Sequence, residues 1–469
     1  MTKSTGKTKN GQQRPEKIDP RKAKREANKR NKDQQRANRA EGKEQQSSPT
    51  PPAASPPTGI DSRPSPAPRP AAIPLPEEPQ GRVGMHFSAL DTWFFRESRP
   101  HNAVGAAELS SQFPPPARTL VGALRTLIGE QIDTDWAAYK RDGEAHPLAQ
   151  IIGHADDLAP LQIDGPWPML DGERLYPAPG FLLKQAPGVG QGLRRLVIGA
   201  PVETDLGRVR LPVMPNNERG ARPLSECWLT AAGMANVLAG GLPPPASVKD
   251  ARDLFDWEPR LGIARDNRRR TVEEHMLYQT RHLRPRAGLA VELGVRGLEI
   301  AYRPSDNAVQ RLGGEGRLAA MEMVATPDPL DVLRVKQAPT HARGLILVLL
   351  TSADLGGNWL PPGFILDEDQ TGIRSWYGSI ADVKLRIHAG VVGKAQREGG
   401  WDLMRNMPRP VRSLIPAGSA WYCTVDDNDG DIASALAVLH GRQIGSEETQ
   451  RLGRGLLAAG IWPKLDAQD

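Results

Sequence analysis

Phe113-Pro-Pro-Pro-Ala-Arg-Thr-Leu-Val-Gly-Ala-Leu-Arg125 is the segment from which the ordered part of this chain is most readily argued. Its three prolines hold φ near −65° and predict an extended approach. Thr119 is predicted to cap a helix beginning there. Leu120, Val121, Leu124, Leu127 and Ile128 recur at helical spacing and predict one buried stripe. Arg118, Gly122, Arg125 and Gly129 fall on another face of the same helix. Upstream, Met85 to Phe95 is rich in large apolar and aromatic residues and reads as β-prone. The first unit is therefore strand, long loop, helix.

Outward from that unit the pattern is mixed. Pro168 to Tyr176 predicts a hairpin turning at Asp171-Gly172. Ser225 to Leu238 suits a helix, Leu289 to Leu293 alternates like a strand, and Leu312-Gly-Gly-Glu-Gly-Arg317 is a glycine loop feeding a strand over 318–324. Gly344 to Leu350 reads as a buried strand. The chain closes on Leu452 to Trp462, where glycines again sit among apolar residues. Each half opens with a strand and later has a glycine loop beside a strand, a weak twofold pattern consistent with two α+β units.

A length of 469 residues suggests two or three domains. The formal charge of +6 is unevenly placed: residues 1–45 carry +9, residues 46–84 carry zero, and −3 is left for residues 85–469. The high pI therefore belongs to the N-terminal extension and does not by itself argue that the folded part binds nucleic acid. Residues 1–84, basic and then proline-rich, bury too little apolar surface to order and are expected to be disordered, as a solvated spacer or as an arm that concentrates RNA. Cys227 and Cys423 are far apart, which excludes a disulfide scaffold and fits a reducing cytoplasm. No apolar run approaches a membrane span, and the N-terminus lacks a signal peptide's apolar core.

Strong catalytic signatures are missing. Ser4-Thr-Gly-Lys-Thr8 imitates the end of a phosphate-binding loop but lacks the upstream glycine. Asp426 to Asp431 lacks the closing glutamate of a calcium loop and reads as an acidic turn. No metal and no cofactor is expected. His275 and His282 would share a face on a helix and could act as base and acid in metal-independent RNA cleavage. The same segment also suits a strand, where they would oppose each other. Two arginine-rich stretches stand out: residues 260–286 carry eight Arg, no Lys and net +5, and residues 382–412 carry net +4. Arg presents a planar fork that suits phosphate and stacks on bases; the alternative is a solvated face laced with ion pairs. Glycine loops let a backbone approach an anion closely and aim its N–H groups at it.

Together these pieces resemble the third-subunit family of the type III-B CRISPR Cmr effector complex, within the RAMP superfamily. The resemblance spans Met85 to Trp462 in order. It rests on Phe95-Arg-Glu-Ser-Arg-Pro100, the 113–125 segment, Gly165 to Pro179, Pro259-Arg-Leu-Gly-Ile263, Met276-Leu-Tyr278 with His282-Leu-Arg284, the 312–317 loop, Ile415-Pro-Ala-Gly-Ser419 and Gly453 to Gly460. It implies two ferredoxin-like (RRM-like) units with glycine-rich loops, over 85–325 and 326–469. It also implies a non-catalytic subunit that holds the 5′ repeat-derived tag of a guide RNA beside a large Palm-domain subunit and backbone RAMP subunits. The extension over 1–84 departs from the family pattern. Carried onto this chain, the expected RNA contacts are Arg118, Arg125, Arg268, Arg269, Arg270, His282, Gly313, Gly314, Gly316, Arg317, Arg409, Arg412, Gly453 and Gly455. Arg96 and Arg99 are as readily structural.

Overall fold

The computed structural model describes residues 81–98, 108–185, 192–215, 220–266, 268, 271–325, 328, 330–335, 342–425 and 431–463. The extension expected over 1–84 lies outside them as far as residue 80, but its expected end is too late. Val83 and Gly84 already belong to strand β1 (Val83–Ala89), and Arg82 is buried.

Helix α1 (Ala117–Gln131) follows a Pro116 N-cap with extended backbone, φ −60 and ψ 138. No side chain caps it, so Thr119 lies within the first turn instead of capping it, its amide donating to Pro116 O at 2.9 Å. The expected stripe is buried, but Gly129 is not on an open face: it lies buried under the Trp136 ring, where a Cβ would meet ring carbons at 2.4 Å. Strand β2 (Gln162–Leu170) turns at Asp171-Gly172, both at positive φ, into Glu173–Pro177, as expected. The expected helix from Ser225 splits. Trp228 and Leu229 favour a strand, Cys227–Thr230, paired with Glu173–Pro177. Only Ala231–Leu238 is helical (α2), with Thr230 Oγ1 accepting from the Gly233 amide at 3.3 Å.

Strand β3 (Leu289–Arg296) is buried on both faces through Val295, so its sequence does not alternate as read. Strand β4 (Leu318–Val324) leaves the glycine loop as expected. These strands sit in an eight-stranded sheet whose central order is β4-β1-β3-β2, all antiparallel. A second, six-stranded sheet is built from β5 (Ala342–Leu349), β6 (Val383–Val391), β7 (Ala420–Val425) and, after helix α3 (Ile432–Leu439), β8 (Leu457–Pro463). From its edge inward the order is β8-β5-β7-β6, again antiparallel. The two sheets repeat one strand order, which gives the twofold pattern of the sequence a structural counterpart.

This arrangement makes three apolar layers. Helix α1 lays Leu120, Leu124 and Ile128 on Val83, Met85, Phe87, Val291 and Met321 of the first sheet. Between the sheets, Trp167, Phe181 and Met234 and Val237 of α2 meet Ile346, Val348, Tyr422 and Ala458. On the far side, Leu436 and Leu439 of α3 cover Leu345, Leu347, Leu457 and Ile461. Strand β5 therefore buries both faces, and the continuous apolar run at 344–350 is the expected consequence. Burying each such side chain contributes about 2 kcal/mol. Among the described residues, no helix is long and apolar enough to cross a membrane, and no group of three or more His, Cys, Asp or Glu could hold a metal. The acidic turn at 426–430 lies outside the described residues; Asp431 caps α3 through the Ala433 and Ser434 amides.

Candidate functional site

Two clusters of arginine and carboxylate gather the residues nominated from sequence. The first forms where a long hairpin, Phe255–Asp266 with Thr271–Pro285, meets the glycine loop. Asp91, just past β1, accepts from Arg260 at 2.8 Å, Arg284 at 3.2 Å and Arg317 at 3.3 Å. Glu258 accepts from Arg260 Nε at 2.7 Å and from Arg284 Nε. The hydrogen bond from Arg260 holds the Asp91 carboxyl below its ordinary range, and that from Arg284 does the same for Glu258. Three guanidiniums face the carboxylates of Asp91 and Glu258, and the glycine loop adds Glu315, whose carboxylate lies 3.5 Å from the Tyr278 hydroxyl, so the cluster is balanced in charge.

The loop over 313–316 rests on Phe94. The Gly314 amide donates to Phe94 O at 2.8 Å, and at Gly313, φ +83, a Cβ would stand 2.5 Å from the same oxygen. The amides of Gly313, Glu315 and Gly316 have no hydrogen-bond partner among the described residues, and all three residues are exposed. Arg317 Nε returns to Glu315 O at 3.0 Å, so the guanidinium is fixed beside those amides. Free backbone amides beside a guanidinium are groups that can receive an anion.

His282 behaves otherwise than expected. It is 1% exposed, its ring lies within hydrogen-bonding distance of Thr92 Oγ1 and Thr280 Oγ1, and it stacks on Phe94 with centroids 5.0 Å apart. Burial, with Arg260 and Arg317 nearby, lowers its pKa to about 4, so the ring is neutral at pH 7. It supports the loop's anchor from inside and offers no face to a ligand. His275 lies in the same strand, so the shared helical face that a histidine pair required does not form. Arg269 and Arg270 lie outside the described residues; Arg268 is exposed in the turn of the hairpin.

The second cluster lines a cavity of about 360 Å³. Arg118 of α1 bonds Asp156 at 2.7 Å and Glu448 at 3.1 Å. Arg409 reaches Asp156 and, at 3.4 Å, Asp402. Arg412 bonds Asp354 at 3.2 Å and Glu448 at 3.5 Å. Three of the nominated arginines, Arg118 from one end of the folded chain and Arg409 and Arg412 from one segment near the other, thus meet in one place. Arg405 and Arg454, not among the nominated contacts, join them.

Other nominated residues are structural. Arg125 donates to the carbonyls of Ile152 at 2.8 Å, Ala155 at 2.9 Å and Asp157, pinning the turn that carries Asp156. Gly453 and Gly455 are buried, and their amides donate to Gln450 O at 2.8 Å and Ser352 O at 3.0 Å. The terminal loop is therefore no anion cradle; its glycines let backbone press on backbone and turn Arg454 inward onto Glu398. Arg260, Arg284 and Arg405 were legible as members of the arginine-rich stretches, whereas Asp91 and Asp156 carried no local signal.

The family described as CRISPR-associated protein (Cas_Cmr3) matches over residues 85–462. The chain belongs to that family. Both clusters of this Cas_Cmr3 chain fall inside the matched span. No curated protein matches the chain. Among solved structures, a chain of the "Cryo-EM structure of the Type III-B Cmr-beta bound to cognate target RNA and AMPPnP, state 1" is 16% identical, with 73% of this chain and 86% of that one covered and a TM-score of 0.39. A chain of the "Cryo-EM structure of the Type III-B Cmr-beta bound to cognate target RNA" is also 16% identical, covering 80% of this chain and 96% of that one, with a TM-score of 0.38.

Proposed function

We propose that this Cas_Cmr3 chain is a non-catalytic subunit of a type III-B effector complex in the cytoplasm, holding the 5′ repeat-derived tag of the guide RNA. Its neighbours in that complex would be the large Palm-domain subunit and the backbone RAMP subunits, and the assembly would serve antiviral RNA targeting. Family membership supports the setting. The observation that carries the RNA reading is the loop at 313–316, with three unpartnered amides beside Arg317, Arg260 and Arg284. Backbone amides and guanidiniums hold phosphates in register, while stacking and base-edge contacts read the tag. Arg268 in the turn of the hairpin extends that surface, Arg269 and Arg270 stay as contacts proposed from the sequence, and Arg118, Arg409 and Arg412 offer a second surface. Gly313, Gly314, Gly316 and Arg317 stay as contacts, whereas Arg125, His282, Gly453 and Gly455 act by shaping the scaffold.

The fold reads as two ferredoxin-like units, 85–325 and 326–469. A β-α-β-β-α-β chain folds to the antiparallel order fourth, first, third, second, which is the order of both sheets. The first unit keeps its first crossover helix, α1, and reduces the second to the short 3₁₀ turn Ile300–Tyr302. The second unit keeps α3 in the second position.

Two measurements test this reading. In the assembled complex, tagged guide should bind more tightly than the same RNA without its tag, and Arg317→Gln should narrow the difference; equal affinity for both RNAs overturns it. Purified protein incubated with labelled repeat RNA should give no product; product that disappears in a His275→Ala, His282→Ala variant would restore the ribonuclease.

A further inference from the structure

In the first cluster a single carboxylate gathers three guanidiniums that the chain delivers from three segments. Arg260 and Arg284 come from the two strands of the long hairpin, and Arg317 from the glycine loop. The donors are divided in a regular way. Glu258 takes Nε of Arg260 and Nε of Arg284. Asp91 takes Nη2 of both, at 2.8 and 3.2 Å, and Nη1 of Arg317 at 3.3 Å. The Nε–Nη2 edge, which suits a pair of carboxylate or phosphate oxygens, is thereby filled at both hairpin arginines. Their Nη1 groups have no hydrogen-bond partner among the described residues.

The backbone fixes Asp91 in this place. On one side the Leu90 amide donates to Leu318 O at 3.2 Å, one residue past Arg317. On the other, Trp93 and Leu283 exchange amide bonds at 2.9 and 2.8 Å, one residue before Arg284. The Asp91 side chain is still 50% exposed, whereas that of Glu258 is 26% exposed. Glu258 alone ties the two hairpin arginines together. Asp91 adds the loop arginine, and so sets an exposed negative charge on the guanidinium beside the unpartnered amides of Gly313, Glu315 and Gly316. Without it the three guanidiniums would be left with Glu258 and Glu315, one carboxylate short, and would draw any polyanion.

We propose that Asp91 is a resident counter-anion of this site: its carboxylate holds the place of a phosphate among the three guanidiniums, and yields to a strand that also reaches the loop amides. The inference deepens the guide-RNA reading and rests on it for the identity of the strand. A phosphodiester carries the same single charge as the carboxylate it replaces, so the exchange of one acceptor for another gains little by itself. The gain comes from the loop, whose amides take a neighbouring phosphate. A strand that does not present phosphates to the loop and to the arginines together is left competing with Asp91 on equal terms. Asp91 thus aligns the three arginines before RNA arrives and selects among strands when it does.

The experiment uses the full chain and three probes: inorganic polyphosphate, an oligoribonucleotide copied from the repeat-derived tag, and the same nucleotides in shuffled order. Binding is read by calorimetry or fluorescence anisotropy over a range of salt. Asp91→Asn keeps the shape of the side chain and removes its charge. It should tighten polyphosphate and the shuffled strand about 10-fold, the worth of one charge-assisted hydrogen bond, and the tag only about 2-fold. The salt slope for the shuffled strand should rise by about 0.7, one more phosphate neutralised. Asp91→Glu, which keeps the charge, should return the ratio of tag to shuffled affinity to its wild-type value. Residues 1–45, at +9, also attract polyanions, so the gain is traced to this cluster by Asp91→Asn with Arg260→Gln, which should lose it. A merely structural Asp91 predicts the opposite sign, with loosened arginines and weaker binding of all three probes. Unchanged or weaker binding of polyphosphate and shuffled RNA by Asp91→Asn, or a gain that survives the added Arg260→Gln, overturns the inference and leaves a wild-type preference for the tag intact. If the wild-type protein binds both RNAs equally while Asp91→Asn still tightens polyphosphate, the counter-anion stands and the guide-RNA reading fails.

Discussion

At the scale of single residues, the least expected feature is a set of buried charges in the first sheet. Glu292 is fully buried opposite His86, and accepts from Arg82 at 2.8 Å and Arg174 at 2.6 Å. Arg82 also reaches Asp164 at 2.8 Å. Burial alone would push the Glu292 carboxyl up; the Arg174 and Arg82 guanidiniums outweigh it and bring the pKa down to about 2. Removing one member strands the others without solvent, so Glu292→Gln should cost about 3–5 kcal/mol in denaturant unfolding. A loss under 1 kcal/mol would mean the arginines find water. The pH dependence has two windows. Glu292 titrates lower in the folded state than in the unfolded chain, so its contribution is complete above about 4.5 and is lost as pH falls towards about 2. His282 is also lowered, to about 4 from 6.5, and as a base it must stay neutral in the fold; stability is therefore complete above 6.5 and falls between 6.5 and 4. His282→Gln should reduce the slope of the upper window, measured as the midpoint of chemical unfolding against pH, leaving the share of His86 and His440, whose pKa values burial also lowers. A slope between pH 6.5 and 4 that is undiminished in this variant would assign it to those two.

At the scale of elements, the two glycine loops look alike in sequence and differ in the fold. Gly455, at φ +73, presses on Ile444, whose carbonyl oxygen would stand 1.9 Å from an added Cβ; Gly316, at φ +65, faces open space. Gly455→Ala should therefore cost several kcal/mol, and Gly316→Ala only the left-handed backbone penalty of about 1–2 kcal/mol. Equal costs by thermal unfolding would show the terminal loop to be less tightly held than its contacts imply. Arg125→Met should release the Ile152–Asp157 turn, at about 2–3 kcal/mol and with faster amide exchange confined to that turn. The same distinctions set how much is legible in the sequence. The α1 stripe, the Asp171-Gly172 hairpin, β4 and β5 can be read because periodicity and turn chemistry are local. The Ser225–Leu238 segment reads wrongly as one helix because Trp228 and Leu229 take their conformation from pairing with Glu173–Pro177, a distant partner. His282 and Gly453 look available because sequence shows which groups can donate or approach, and only the fold shows which are already engaged. Asp91 and Asp156 gather arginines from segments far apart in sequence, so nothing near either residue announces it.

At the scale of the whole molecule, charge and architecture are divided between parts of the chain. Residues 85–469 carry net −3 while residues 1–45 carry +9, and many arginines of the body are already paired within the two clusters. On the proposed RNA reading, long-range attraction comes from the N-terminal extension and discrimination from the loop at 313–316. Counterion release makes this separable, since each phosphate neutralised on a single strand adds about 0.7 to the slope of log affinity against log salt. Removing residues 1–45 should lower the affinity for any RNA and reduce the salt slope by several units, while the ratio of tagged to untagged affinity stays constant. Arg317→Gln should do the reverse, changing the slope by about one contact and the ratio substantially. If truncation leaves the slope unchanged, the basic arm does not touch RNA and its charge serves another partner. If truncation also erases the ratio, recognition lies in the arm, and the loop at 313–316 has lost its assigned role.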